Sequence, residues 1–480
     1  MTSCSYPSSM CKNVLFSSRS ALHPICCCSV WPRVWAQVIA TPTPASPSFN
    51  ARQPVDEVQG LSEDMGWLFD SGRGCDFTVV VQSLDGNDSD DSVCVHRLVL
   101  SLDPQSVFFD MTQESKSFTM DVRQSCRPYV NAFLRYIYTR QINVTISSIQ
   151  CIYQMASDYG FKSLQAECGR LFSWLLPDDS TFVTTVSLYN YAVAAGDPVL
   201  QETCLRYLAW NCAALVGSEA WLTMSEEAVE VFLSCSDLVV PDESFLLRAL
   251  ESWLRSRDNR TEAGIVPGLL GLIRFPMISA ERLYDIPYSS DLYHSYAEVY
   301  NAEMVQGYPF QALTFDKLRR HLPSMDVEHS PRIYTEQPWS FTVSAAEVSA
   351  FLQQPYYGWS NGLSGSLSTP VLNSAIYQDK TTTWYANVFL NKQQCLNQGY
   401  TCDSTPAVSL YQTGYNQYQN DIQYDNCIVL LCNGSYVFHV QKFNSNRMVL
   451  IPSGSNTGQE YPCAGERYSY LFVVRPQYIL

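Results

Sequence analysis

Positive charge is scarce in this chain. Its 30 Lys and Arg stand against 46 Asp and Glu, giving a net charge of −16 and a pI near 4.8. No basic surplus is left to neutralise phosphates, which argues against a nucleic-acid binder. No apolar run reaches the ~18–20 residues that a membrane-spanning helix requires. The 18 cysteines include no Cys-x-x-C, and the 6 histidines form no zinc-ligand spacing with them. Asp85, Asp88, Asp90 and Asp91 resemble a calcium loop in composition only. They lack the sixth-position Gly and the terminal Glu, so a solvated turn is the better reading. What is present is globular: 46% hydrophobic, 13% aromatic, and 16% charged, which is on the low side. At 480 residues the chain suggests roughly three domains.

Residues 1–57 read as a disordered or atypical N-terminal segment. They hold a Pro/Ser/Thr-rich linker (TPTPASPS) and a degenerate signal-like stretch, ICCCSVWPRVWAQVIA, interrupted by Pro32 and Arg33. Residues 58–177 pattern as a small sheet covered by helices. Leu61, Met65, Leu68 and Phe69 share one helical face, with Ser62 as the expected N-cap. Phe77, Val79 and Val81 alternate as a strand. LDGNDSDDS makes a hairpin loop, and Val93–Leu100 is the expected return strand with His96 in its middle. Phe118–Val122 makes a third short strand. Three helical stripes follow, among them Val130, Phe133, Leu134 and Ile137 just after Pro128.

Residues 178–325 are helical by pattern. One stripe (Leu188, Ala192, Ala195) closes at Gly196-Asp-Pro198, and the clearest is Leu246, Leu247, Leu250, Trp253 and Leu254. Residues 331–480 change character. Only 15 of 150 residues are charged there, against 61 of 330 before, and half of the 30 tyrosines fall in this segment. Short alternating runs at Trp339–Val343, Trp384–Leu390, Ile428–Cys432, Tyr436–Val440, Met448–Ile451 and Tyr468–Val474 predict an all-β, sandwich-like domain. No fixed-period repeat is present, so propeller blades are not supported.

Candidate chemistry is sparse. Gly358-Trp-Ser360-Asn-Gly362 spells G-x-S-x-G, but a nucleophile elbow needs a strand before the serine and a helix after it. The surroundings read as a loop, and the chain is expected not to be an enzyme. A lone His96 on a strand reads as a satisfied structural group. The cysteines leave two readings, disulfides or buried free thiols, with disulfides favoured in the C-terminal third. There, Cys395 and Cys402 flank a turn, Cys432 and Cys463 sit beside two strands, and Cys427 is left over. Four sequons at Asn87, Asn143, Asn259 and Asn433 favour an oxidising, glycosylating compartment.

The strand opening Cys75-Asp76, followed by Val95-His96-Arg97 and then a helix with Phe108-Phe109, resembles the BTB (POZ) signature. Ser236-Asp-Leu-Val-Val-Pro-Asp-Glu and Ile273-Arg-Phe-Pro-Met resemble the BACK domain that commonly follows it. LRYIYTRQINVTISSIQC, LLPDDSTF, LYNYAVAAGD, PRIYT and VVRPQYIL extend the resemblance over residues 58–480 to the galectin-3-binding protein family of BTB–BACK glycoproteins. Residues 1–57 do not resemble the cysteine-rich SRCR domain that the family carries there. The resemblance implies an α+β multidomain chain, with BTB at 58–177, helical BACK at 178–325 and a β-sandwich at 331–480. It implies no cofactor and no catalytic or metal site. It implies a secreted, oligomeric adhesion and scavenger-like protein of the extracellular matrix, active in immune defence. Such proteins self-associate through BTB, here the Leu61, Met65, Leu68 and Phe69 helix. They bind galectins through N-glycans, and matrix proteins or integrins directly. The alternative is a cytosolic BTB–BACK substrate adaptor of a cullin-3 ubiquitin ligase.

Overall fold

The computed structural model describes residues 58–84, 91–257, 264–321, 327–414, 418, 420–443, 447–452, 461–463 and 467–478. The readings made for residues 1–57, for Asn87 in its loop and for Asn259 lie outside them.

The N-terminal part is a three-stranded sheet under helices. Phe77–Ser83 is the central strand. It pairs antiparallel with Asp91–Val95, Phe77 opposite Val95, and parallel with Ser117–Val122, Thr78 opposite Ser117. Its alternation works as expected, since Phe77, Val79 and Val81 are buried while Thr78 and Val80 are half-buried. The helices Val130–Thr139, Ile149–Asp158 and Lys162–Leu175 close over it with Phe133, Leu134, Ile152 and Phe172.

Two local expectations need correction. The return strand stops at Val95, and Arg97–Leu100 is a short helix. The Asp76 carboxylate, at the mouth of the neighbouring strand, accepts the Arg97 N–H at 2.8 Å. The His96 carbonyl then accepts from Val99 and Leu100, which turns the aliphatic run into a helix. The first helix spans Val58–Ser71, so Ser62 lies inside it and is not its cap. Its hydroxyl instead donates to the Thr139 carbonyl at 2.8 Å, fastening this helix to Val130–Thr139.

The middle part is helical, from Val183–Ala195 to Phe315–His321. Gly196, at φ 65°, ends the first of these helices. The next begins at once, because Asp197 accepts the N–H groups of Val199 and Leu200. Glu243–Ser256 buries Leu246, Leu247, Leu250 and Trp253, as its pattern predicts.

The C-terminal part holds two four-stranded sheets. One runs Tyr436–Lys442, Cys427–Cys432, Tyr468–Val473, Ser340–Val343. The other runs Met448–Leu450, Ala407–Thr413, Thr381–Phe389, Leu363–Pro370. They meet where the Phe341 ring lies on Gly365. A Cβ on that glycine would stand 2.1 Å from the ring, so only Gly allows the approach. The stretch after Ser360, expected as loop, is thus an outer strand of the second sheet. Its Ser/Gly content hides the alternation of Leu363, Gly365 and Leu367.

No break in packing separates the three parts. One hydrophobic cluster runs from Phe77 to Tyr478. Asn211 exchanges hydrogen bonds with the backbone of Val437, at 3.1 and 2.8 Å, and the Tyr461 hydroxyl donates to the Thr203 carbonyl. Val239–Val240 also pairs in parallel with Ile333–Tyr334.

Candidate functional site

Three features gather chemistry that folding alone does not explain or that joins the parts. The first is the hairpin and the helix before it. Cys75 and Cys94 form a disulfide across the mouth of the hairpin. Cys126–Cys151 ties two helical segments beneath the sheet. Sequence reasoning missed both bridges. Its best clue was that Cys75 and Cys94 flank one hairpin, but connectivity does not follow from spacing. His96 is structural. Its Nδ1 and backbone N lie 3.0 and 2.7 Å from the Tyr138 hydroxyl, and its Nε2 lies 2.9 Å from the Arg73 carbonyl. Burial pushes the Tyr138 hydroxyl up to about 12, so it remains a neutral hydrogen-bonding group.

On the preceding helix, Met65, Leu68 and Phe69 are half-buried against the protein's own core, Phe69 with its ring 5.0 Å from Tyr138. Arg135 grips Asp70 through Nε and Nη2 at 3.0–3.2 Å. The large apolar side chains left in water are Leu61, 65% exposed, and Trp67, 57% exposed. Trp67 carries the Arg73 guanidinium 5.8 Å from its ring centre.

The second feature is a buried charge cluster assembled from distant segments. Glu243 is fully buried. Its carboxylate accepts from the Arg274 backbone N–H at 2.9 Å, from Arg332 Nε at 3.2 Å and from the Tyr334 hydroxyl at 2.7 Å. Arg332 also donates to the Cys235 and Leu272 carbonyls. Arg274 donates to Ser330 O and Ser236 Oγ, both at 2.7 Å. Arg475 donates to the carbonyls of Arg332 and Pro331, and its Nη1 lies 3.2 Å from Asp425. These arginines come from the segments IRFPM, PRIYT and VVRPQYIL, dispersed over two hundred residues of sequence. The cluster therefore fixes the helical part to the C-terminal sheets. Beside it opens a cavity of about 570 Å³, lined by Asp242, Arg282, Glu336, Gln337, Trp339 and Asn373 among others. Arg282 pairs there with Asp242 and lies 3.5 Å from Glu336. A hydrogen bond to Asp242, and then burial, raise the Glu336 carboxyl above its usual range.

The third feature is the set of cysteines and sequons. Cys395 bonds Cys402, and Cys432 bonds Cys463. Cys168, Cys204, Cys212 and Cys427 are buried free thiols, and burial raises each of them, Cys168 to about 11 and Cys427 to about 12. None is therefore a thiolate nucleophile at neutral pH. Asn143 is exposed in the loop between two helices. Asn433 is exposed on the reversal between Cys427–Cys432 and Tyr436–Lys442. Asn433 and Gly434 both hold positive φ, 49° and 72°, and Ser435 N–H closes on the Cys432 carbonyl at 2.8 Å. That is the two-residue turn an Asn-Gly pair favours. Ser360, the serine of G-x-S-x-G, donates to the Tyr357 carbonyl at 2.7 Å and precedes a strand, so the elbow's order of elements is not met.

Known families match two stretches of the chain. The family described as BTB/POZ domain covers residues 65–174, and the one described as BACK, BTB And C-terminal Kelch, covers residues 185–286. Galectin-3-binding protein of Bos taurus is 33% identical over 423 residues, 86% of this chain and 73% of its own length. That of Mus musculus is 32% identical over 87% of this chain and 75% of its own. BTB/POZ domain-containing protein 17 of Homo sapiens is 29% identical over 59% of this chain and 58% of its own. With a BTB domain, a helical BACK region and paired C-terminal sheets in that order, the chain belongs to the galectin-3-binding protein family.

Proposed function

We propose that this chain is a secreted, N-glycosylated, oligomeric adhesion protein. It binds galectins through glycans on Asn87, Asn143, Asn259 and Asn433, and matrix proteins or integrins directly. The observation that carries this reading is the pairing of disulfides with exposed sequons. Four bridges among the described residues staple both the BTB part and the C-terminal sheets. Such bridges persist in oxidising compartments and are rare in the cytosol. Asn143 is exposed on a loop and Asn433 on a turn, both at the surface where a glycan is added. Among the described residues no helix is long and apolar enough to cross a membrane.

Self-association goes through the first helix. Leu61 and Trp67 are its exposed apolar side chains, and Met65, Leu68 and Phe69 are the half-buried layer beneath. A two-fold pairing puts the same patch on both sides. Multiplying protomers then multiplies weak glycan contacts through avidity. The domains are taken as 58–177, 178–325 and 331–480.

Expression of the full chain in cultured animal cells tests this reading. Recovery from the medium, with a mobility shift after enzymatic release of N-glycans, is the expected result. Retention in cells with no shift overturns it. Cullin-3 co-purifying from those cells would favour the ubiquitin-ligase adaptor instead.

A further inference from the structure

The segment Leu352–Ser360 presents its large side chains to water. Tyr356 is 79% exposed and Trp359 80%, and exposed Leu352 precedes them. Nothing in the core requires this, yet the segment is held firmly. Tyr357–Trp359 is a 3₁₀ turn, and the Trp359 N–H donates to the Tyr356 carbonyl at 3.1 Å. In such a turn residues three apart eclipse one another, so Tyr356 and Trp359 stand on the same side. The fully buried Gln394 side chain donates to Tyr357 O at 2.8 Å and to Ser360 Oγ at 3.3 Å. Asn397 donates to Trp359 O and Ser360 O at 3.2 and 3.1 Å. Both belong to the helix Lys392–Asn397, which is capped by Asn391 and closed by the Cys395–Cys402 disulfide. Gly362, at φ 87°, turns the chain into the next strand, where a Cβ would stand 2.6 Å from the Val388 carbonyl. The backbone that carries these two outward-facing aromatic side chains is thus held on a stapled base.

We propose that this aromatic pair is a binding platform for neutral oligosaccharides. Residues 348–378 contain no Asp, Glu, Lys or Arg, so the segment offers no partner for a charged ligand. Close to the two rings the exposed polar side chains include the amides Gln353, Gln354 and Asn361. A pyranose ring matches this chemistry, with an apolar C–H face to lie on an aromatic ring and hydroxyls to meet amides. Size points the same way. Two aromatic side chains offer roughly 300–500 Å², enough for one or two sugar rings and short of the ~800 Å² per partner of a standard protein interface. The proposal goes beyond the reading above, in which other proteins recognise this chain's own glycans, and does not depend on it.

The test titrates the full chain, stripped of its N-glycans, with maltohexaose, cellohexaose and chitohexaose in turn. Tryptophan fluorescence and calorimetry are the readouts. At least one oligosaccharide is expected to bind saturably, with Kd on the order of 0.1–1 mM. Trp359→Ala and Tyr356→Ala should each weaken that binding about tenfold or more. Tyr288→Ala, which removes a 79% exposed ring elsewhere, should leave it unchanged. Circular dichroism confirms that the variants fold. Three results overturn the proposal: no saturable binding of any of the three sugars, equal binding by Trp359→Ala, or Trp359-dependent binding to phosphatidylcholine vesicles without sugar binding.

Discussion

Replacing Glu243 by Gln tests the idea that helical and sheet regions are one structure. The substitution keeps size and one acceptor oxygen but removes the charge that pairs with Arg332 and lies beside Arg274. Arg332 is 1% exposed and its nearest carboxylate is Glu243, so its charge would be stranded in a dry interior. Removing one partner of a buried pair costs about 3–5 kcal/mol, which is roughly two to three and a half powers of ten in the folding equilibrium. That is a large part of the ~5–15 kcal/mol typical of folded proteins. The matched control is Arg282→Ala, which breaks pairs to Asp242 and Glu336 but starts from a 44% exposed side chain. Surface pairs are worth about 0–1 kcal/mol, and the control should move the midpoint little. Denaturant unfolding, followed by tryptophan fluorescence and by far-UV circular dichroism, separates the two variants. Because the core is continuous, Glu243→Gln should shift helical and sheet signals together. A shift no larger than that of Arg282→Ala, or loss of the sheet signal alone, would refute the argument.

Three further outcomes follow from the same structure. Replacing disulfide cysteines by serine should cost stability in the order of loop length. The estimate is about 2.4 kcal/mol for Cys395–Cys402 and about 3.7 kcal/mol for Cys432–Cys463, read as denaturation midpoints. Their sequence separations are 7 and 31 residues. His439 is buried with its Nδ1 unpartnered, and burial lowers its pKa below 6.5. Below pH 6.5 the unfolded chain takes up the proton and the folded chain resists it. His439 therefore subtracts stability as pH falls from 6.5 toward the folded value, and His439→Gln should flatten that part of the Tm–pH curve. Gly365→Ala should cost about 1–3 kcal/mol, by thermal denaturation, because the Phe341 ring must move for the added carbon.

How far the sequence carried each element depended on how local its cause is. The strand Phe77–Ser83 and the helix Glu243–Ser256 were legible because one face of each is apolar at the proper period. The strands Leu363–Pro370 and Ala407–Thr413 were not. The first shows Ser and Gly where a pattern needs side chains, and the second is buried on both faces over Ala407–Leu410, which erases alternation. The strand ending at Val95 was overrun in prediction because its stop signal, the Asp76 carboxylate, lies about twenty residues back, just ahead of the neighbouring strand. Cys395 with Cys402 was readable over seven residues. Glu243 was not readable as a centre, since an acid in the first turn of a helix is ordinary and its partners lie 31 to 91 residues away. The segments IRFPM, PRIYT and VVRPQYIL were visible as family marks before their common purpose was. The aromatic pair Tyr356 and Trp359 was passed over because its neighbours drew attention as a serine motif.

The strand order of the first C-terminal sheet bears on how the protein is made. Among the described residues Ser340–Val343 pairs within that sheet only with Tyr468–Val473, which also separates it from Cys427–Cys432. A ribosome adding ~5–20 residues per second leaves this short strand unpartnered for roughly 6–26 s before its neighbour emerges. Throughout that interval its backbone donors and acceptors stand open to other chains, joined near the end by the facing edge of Cys427–Cys432 once that strand is made. The nascent protein thus passes through a vulnerable state whose length is set by topology, and shielding by chaperones matters most while the chain between Ser340 and Tyr468 is being synthesised.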